Sequence, residues 1–130
     1  MPQVKIRWQL LICTVFLGLS ATACRMAKTD EIQGRYEMHQ PWGGASLVLN
    51  KDHSMVQVFH RKGSETIQNK GTWKFDNGYV MILPCLLISS DPQETRMIDG
   101  CGCSAEVSPL GIQINININE GLSYSKVASK

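Results

Sequence analysis

From Ile112 to Asn119 the chain alternates isoleucine with glutamine or asparagine at every step. A period of two puts the four isoleucines on one face of a strand and the amides on the other, so this segment is expected to bury an isoleucine face and wet an amide face. Glu120-Gly121 then turns the chain into a last strand, Leu122 to Val127, ahead of a short polar tail. A second clear unit runs from Gly71 to Leu83. There Asn77-Gly78 can take positive φ at both central positions of a type I′ turn, which closes a two-residue hairpin. The register of such a turn sets Phe75 against Val80 and Trp73 against Ile82, and all four fall on one apolar face.

Weaker alternation marks further strands. Leu47, Leu49, Val56 and Val58 flank a polar turn at Lys51–Ser54, and pairing Leu49 with Val56 and Leu47 with Val58 gives a second apolar face. Continued to the end of that hairpin, this register sets His60 opposite Ala45 and points it inward at a rim. The same registers turn Phe59, Tyr79, Met81 and Leu83 outward. That is more apolar surface than a solvated sheet needs, so another element is expected to cover it; failing that, Phe59, Tyr79 and Met81 would form a partner patch. An opening strand from Ile32 to Met38 presents Ile32, Tyr36 and Met38 inward, with Gly34 at a bend. Ser89 to Pro109 reads as one long irregular stretch rich in Ser, Asp, Pro and Gly. No segment has a helical period. The pattern predicts an all-β domain over residues 32–127, a small antiparallel meander barrel of about seven or eight strands, closed or nearly so, with an interior filled by side chains.

Ahead of this domain the pattern changes kind. Lys5 and Arg7 precede the apolar run that begins at Leu10, and Ala21-Thr22-Ala23 supplies small side chains just before Cys24, the charge, apolar, small order of a secretory signal. A spanning helix needs roughly 20 apolar residues, and this run is shorter. Ala21-Thr22-Ala23-Cys24 resembles the lipobox of bacterial lipoproteins, although Ala21 stands where that family prefers Leu. The resemblance implies cleavage before Cys24, a diacylglyceryl group on its sulfur, and a bacterial cell envelope location. Arg25 in place of an Asp favours the outer membrane, facing the periplasm; the alternative is a soluble periplasmic or secreted protein. The expected division is a signal peptide over residues 1–23, a lipid-anchored tether over 24–31 that reaches at most roughly 25 Å, and the β domain. Gly34-Arg35-Tyr36, Leu47-Val48-Leu49, Gly71-Thr72-Trp73 and a final strand with Tyr124 and Lys126 also resemble small exported lipoproteins of unassigned function, which brings no activity with it.

Charge narrows the partners. The whole chain carries a formal net charge of +2, but losing Lys5 and Arg7 with the signal leaves 11 basic and 11 acidic residues. A neutral domain has no basic face with which to displace counterions, so nucleic acid is not an expected partner. The membrane, through the lipid on Cys24, is one expected partner; an unidentified protein or small ligand is the other.

Of the five cysteines, Cys13 leaves with the signal and Cys24 is the lipidation site. Cys85, Cys101 and Cys103 remain, an odd set in an oxidising compartment. A bond from Cys85 to either Cys101 or Cys103 would close a loop of roughly 16 to 18 residues and stabilise by about 3 kcal/mol. The alternative is a soft-metal or thiol-redox site built from Cys85, Cys101 and Cys103, with His60 as a further ligand. His39 and His53 read as solvated, at a strand end and in a turn. Trp42, in the turn-rich Gln40-Pro41-Trp42-Gly43-Gly44, either closes a barrel end or is an exposed contact residue.

Catalytic patterns do not converge. Ser123-Tyr124-Ser125-Lys126 has the Ser-x-x-Lys spacing of penicillin-recognising enzymes, but on a strand that spacing puts Ser123 and Lys126 on opposite faces. Gly121 to Ser125 lacks the last glycine of a nucleophile elbow. No motif calls for a cofactor, and the expectation is a non-enzymatic binding or structural module.

Overall fold

The computed structural model describes residues 27–129. A single helical turn, α1 (Thr29–Ile32), precedes ten strands: β1 (Gly34–Gln40), β2 (Gly43–Leu49), β3 (Ser54–Arg61), β4 (Thr66–Asp76), β5 (Tyr79–Leu83), β6 (Cys85–Leu87), β7 (Arg96–Ile98), β8 (Cys101–Ser108), β9 (Gly111–Asn117) and β10 (Leu122–Lys126). A 3-10 turn over Ile118–Glu120 joins the last two. Eight strands close a barrel in the order β1-β2-β3-β4-β5-β8-β9-β10 and back to β1, each antiparallel to both neighbours. The fold is therefore the expected all-β meander, with closure removing every edge of the main sheet. It departs once from the meander, between β5 and β8, where β6 and β7 pair only with each other.

Alternating strand directions give the barrel two distinct ends. At the base lie α1, the β2–β3 turn, the Asn77-Gly78 turn, the Pro109-Leu110 turn and the end of β10. At the mouth lie the Pro41-Trp42 turn, the β3–β4 turn, the whole 84–100 segment and the 3-10 turn.

The Asn77-Gly78 hairpin has the expected register, with Trp73 facing Ile82 and Phe75 facing Val80. Both turn residues have positive φ, 50° and 82°, which is what a type I′ turn demands. In β9, Ile112, Ile114 and Ile116 point into the core. Ile118 does not: the strand stops at Asn117, and Ile118 opens the 3-10 turn and is exposed. Ile32 is buried as expected, but as the last residue of α1 rather than in a strand.

The β2–β3 hairpin differs by one residue from the alternation of valines. Leu49 faces Met55, Leu47 faces Gln57 and Ala45 faces Phe59. Asn50 to Ser54 make an odd loop: Asn50 N–H donates to the Ser54 carbonyl at 2.9 Å, His53 takes a left-handed φ of 66°, and Asp52 Oδ1 accepts from Ser54 N–H at 2.9 Å. An odd loop turns the whole of β3 over relative to an even one. The inward residues are consequently Met55, Gln57 and Phe59. Phe59 is thus a core residue and not part of an outward patch, and His60 faces out, where its Nδ1 lies 3.2 Å from Thr66 Oγ1. The valine pattern misleads because a fully buried glutamine occupies the middle inward position of β3.

The supposedly irregular stretch from Ser89 also hides a barrel strand. In β8, Cys101, Cys103 and Ala105 point inward against β5 and β9, and Val107, in the same phase, ends the row exposed at the rim. The period of two is present, but it is carried by small and weakly apolar residues.

Candidate functional site

The mouth is the most elaborated part of the molecule. Leaving β5 at Leu83, the chain turns back over the opening. Gly71 permits the turn, since a Cβ there would lie 2.2 Å from the Leu83 carbonyl oxygen and 2.7 Å from Pro84 Cδ. The segment then enters the barrel, burying Cys85, Leu86 and Ile88. A backbone brought inside a barrel needs hydrogen-bond partners there, and side chains supply them. Gln57 Oε1 accepts from Leu86 N–H at 2.9 Å, and Gln57 Nε2 donates to the Leu86 carbonyl at 2.9 Å. The glutamine thereby stands in for a neighbouring strand. Its Nε2 also donates to the Tyr124 hydroxyl at 3.0 Å. Asn69 Nδ2 donates to Gln57 Oε1 at 3.1 Å and to the Pro84 carbonyl at 2.9 Å. Every buried side-chain nitrogen and oxygen among the described residues has a partner. Burial raises the Tyr124 hydroxyl far above its ordinary value, so it remains a neutral member of this network.

Arg61, at the mouth end of β3, clasps the outer part of the lid. Its guanidinium sits 4.8 Å over the Trp42 ring and 5.4 Å from the Phe59 ring. It donates to the Ser90 carbonyl at 2.9 Å, the Ser89 carbonyl at 2.5 Å and Thr95 Oγ1 at 3.2 Å. Trp42 meets Phe59 edge to face, with centroids 6.2 Å apart. Half-buried, Trp42 packs against the core at this end of the barrel. On the other side, Asn117 Nδ2 donates to the Ile88 carbonyl at 3.1 Å. Glu120 accepts from Ser90 N–H at 3.2 Å and from the Ser90 hydroxyl. These bonds, led by the Ser90 hydroxyl, hold the Glu120 carboxyl below its ordinary value.

A disulfide joins Cys85, where the lid begins, to Cys101, where β8 begins; the Cα atoms are 5.7 Å apart and the closed loop spans 16 residues. Of the two pairings open from sequence, this is the one formed. Cys103 keeps a free, buried thiol with its Sγ 3.5 Å from Cys101 Sγ. Burial pushes that thiol up to about 12, so at neutral pH it is protonated and a poor nucleophile. With Cys85 and Cys101 bonded to each other and His60 outside, the alternative ligand set of Cys85, Cys101, Cys103 and His60 is not assembled. No group of three or more His, Cys, Asp or Glu side chains placed to hold a metal occurs among the described residues.

The remaining candidates are scattered. Tyr79 and Leu83 are exposed and Met81 is half-buried on the outer face of β5. The expected cover is missing over most of them, because the 84–100 segment goes over the mouth; only Gly100 packs against Leu83. His39 lies on the surface beside Glu37, which also meets Arg35 at 3.1 Å. Ser123 and Lys126 do not meet; Lys126 Nζ turns to the Glu31 carbonyl at the base. Cys24 and the rest of the signal-like segment lie outside the described residues. Among the described residues no helix is long and apolar enough to cross a membrane.

Arg61, Gln57, Asn69 and Glu120 carry the mouth, and none stands out in sequence. The one local cue is Asn50–His53, whose turn chemistry decides which way Gln57 faces. Compared with models of known protein families, with curated proteins and with solved structures, the chain has no match.

Proposed function

We propose that this chain is an exported envelope lipoprotein, anchored in a bacterial membrane through Cys24 with the outer membrane favoured, whose barrel is a non-enzymatic binding or structural module making contact through the mouth. One observation carries the reading: the described chain enters at the base, and the Trp42 turn and the stapled 84–100 lid are built at the opposite end. A barrel tethered by its base presents its mouth away from the membrane. The contact class is a protein or a small ligand, received by the partly exposed Trp42 and the lid clasped by Arg61.

Two measurements test it. Intact mass of protein extracted from membranes should show acyl chains on a Cys24 amino terminus, and a Cys24→Ser variant should leave the membrane fraction. Cross-linking in intact envelopes should then lose partners when Trp42→Ala replaces the wild type, with thermal melting used to confirm that the variant is folded. Identical partner profiles would remove the mouth from the account. A second reading, thiol redox, draws on the 3.5 Å contact between Cys103 and Cys101. One titratable thiol in the denatured, unreduced protein supports the structural disulfide; three would favour the redox alternative.

A further inference from the structure

We propose that the base of the barrel is a membrane-contacting face, with Leu110 at the tip of the β8–β9 turn entering the interface of the bilayer; the proposal rests on the reading of Cys24 as the lipid anchor. The first argument is chain length. α1 is fixed to the base, because Ile32 is buried in the core, its carbonyl accepts from the Tyr36 hydroxyl at 2.6 Å, and Lys126 Nζ donates to the Glu31 carbonyl. Ala27 packs against the same core. From Ala27 back to Cys24 is a reach of at most about 11 Å even when fully extended. A lipid on Cys24 therefore holds the base within a short distance of the headgroups and leaves no room for a free-swinging domain.

The second argument is what the base presents there. Leu110 is 99% exposed, Tyr79 52% and Val107 40%, all at this end. A lone exposed leucine means little, but this one is held out on a pinned turn. Its own N–H donates to Ser108 Oγ at 3.2 Å, and the Ser108 hydroxyl donates to the Gly111 carbonyl at 3.3 Å. Pro109 presets the backbone of the turn. The charge exposed around the base is mixed, Lys28 and Lys51 beside Asp30, Asp52 and Asp76, so the contact rests on Leu110, which suits the acyl boundary just beneath the headgroups.

The test uses the full mature protein with its acyl chains, in vesicles of phosphatidylethanolamine and phosphatidylglycerol carrying brominated acyl chains. Leu110→Trp reports on the base and Ile118→Trp, at a mouth position that is 75% exposed, on the opposite end; both sites are solvent-facing, so the fold is kept. The wild-type signal of Trp42 and Trp73 is subtracted. For an interfacial side chain the added Leu110→Trp fluorescence should fall at least about twofold, with Ile118→Trp unchanged. Quenching no greater at 110 than at 118, in protein that floats with the vesicles, overturns the membrane-contacting base and leaves the anchor standing. Protein that lacks acyl chains or fails to float overturns the anchor reading and this inference with it.

Discussion

The two ends of the barrel are closed by opposite means. At the base, closure is apolar: Ile32 from α1 is buried with its carbonyl accepting from the Tyr36 hydroxyl, and Trp73 is buried in the same core with its Nε1 donating to the Asn50 carbonyl at 2.9 Å. At the mouth, closure is polar, a length of backbone drawn into the barrel and matched by Gln57, Asn69 and Tyr124. The base gains mainly from apolar area removed from water, whose benefit is insensitive to small displacements. The mouth depends on directional bonds in a dry interior, where one missing partner leaves others unsatisfied. An apolar end tolerates conservative change; a polar end does not.

The sharpest way to break this contrast is Gln57→Leu, which keeps the size of the side chain and removes its polar atoms. The Leu86 N–H and carbonyl and the Tyr124 hydroxyl lose partners, so the expected loss is about 4 kcal/mol, read from the denaturant midpoint at constant slope. Amide exchange should rise at Leu86 far more than in β4. A loss below that of an ordinary surface substitution would show that the glutamine does not hold the lid.

Trp73→Phe probes the base and should cost less, about 2 kcal/mol, from a small cavity and an unpaired Asn50 carbonyl. The lid amides should remain protected in this variant. If they exchange as fast as in Gln57→Leu, the two ends are one cooperative unit and the contrast fails.

Least disruptive is Glu120→Gln at the outer edge of the lid. The fold holds the Glu120 carboxyl below its ordinary value of 4.5, chiefly through the Ser90 hydroxyl. A depressed carboxyl stabilises fully above its unfolded value, and that contribution is lost as pH falls through the folded value. Wild type should therefore melt above Glu120→Gln at about pH 6, and the gap should close towards about pH 3. Parallel melting curves across that range would remove Glu120 from the clasp.

The contrast also explains what sequence could and could not reveal. The Asn77-Gly78 end of the base and the β9 face were legible because their evidence is periodic: Asn77-Gly78 dictates one register, and the isoleucines of β9 alternate up to Asn117, while α1 and the odd Asn50–Ser54 loop carry no period. Tyr36 and Met38 face inward for the same reason. The mouth was not legible. Gln57 breaks the apolar period of β3 at the very position where burial is complete, and Val56 and Val58 supply a false alternative one residue away. In β8 the inward face is Cys101, Cys103 and Ala105, too weakly apolar to announce a strand. The cysteines indicated a staple, and only geometry could choose Cys101 over Cys103. A polar plug is specified by pairwise bonds between residues far apart in the chain, and those leave no period to read.

Proteolysis meets the Cys85–Cys101 bond in a particular way. The outermost part of the lid, Ser90 to Glu94, is its most exposed stretch and the natural place for a protease to cut. A cut there falls inside the covalent ring, so both new ends remain attached, one through Cys85 and the other through Cys101. The nicked molecule would migrate as one chain until reduced and then as two. The protein could thus lose the continuity of its lid and keep its barrel whole.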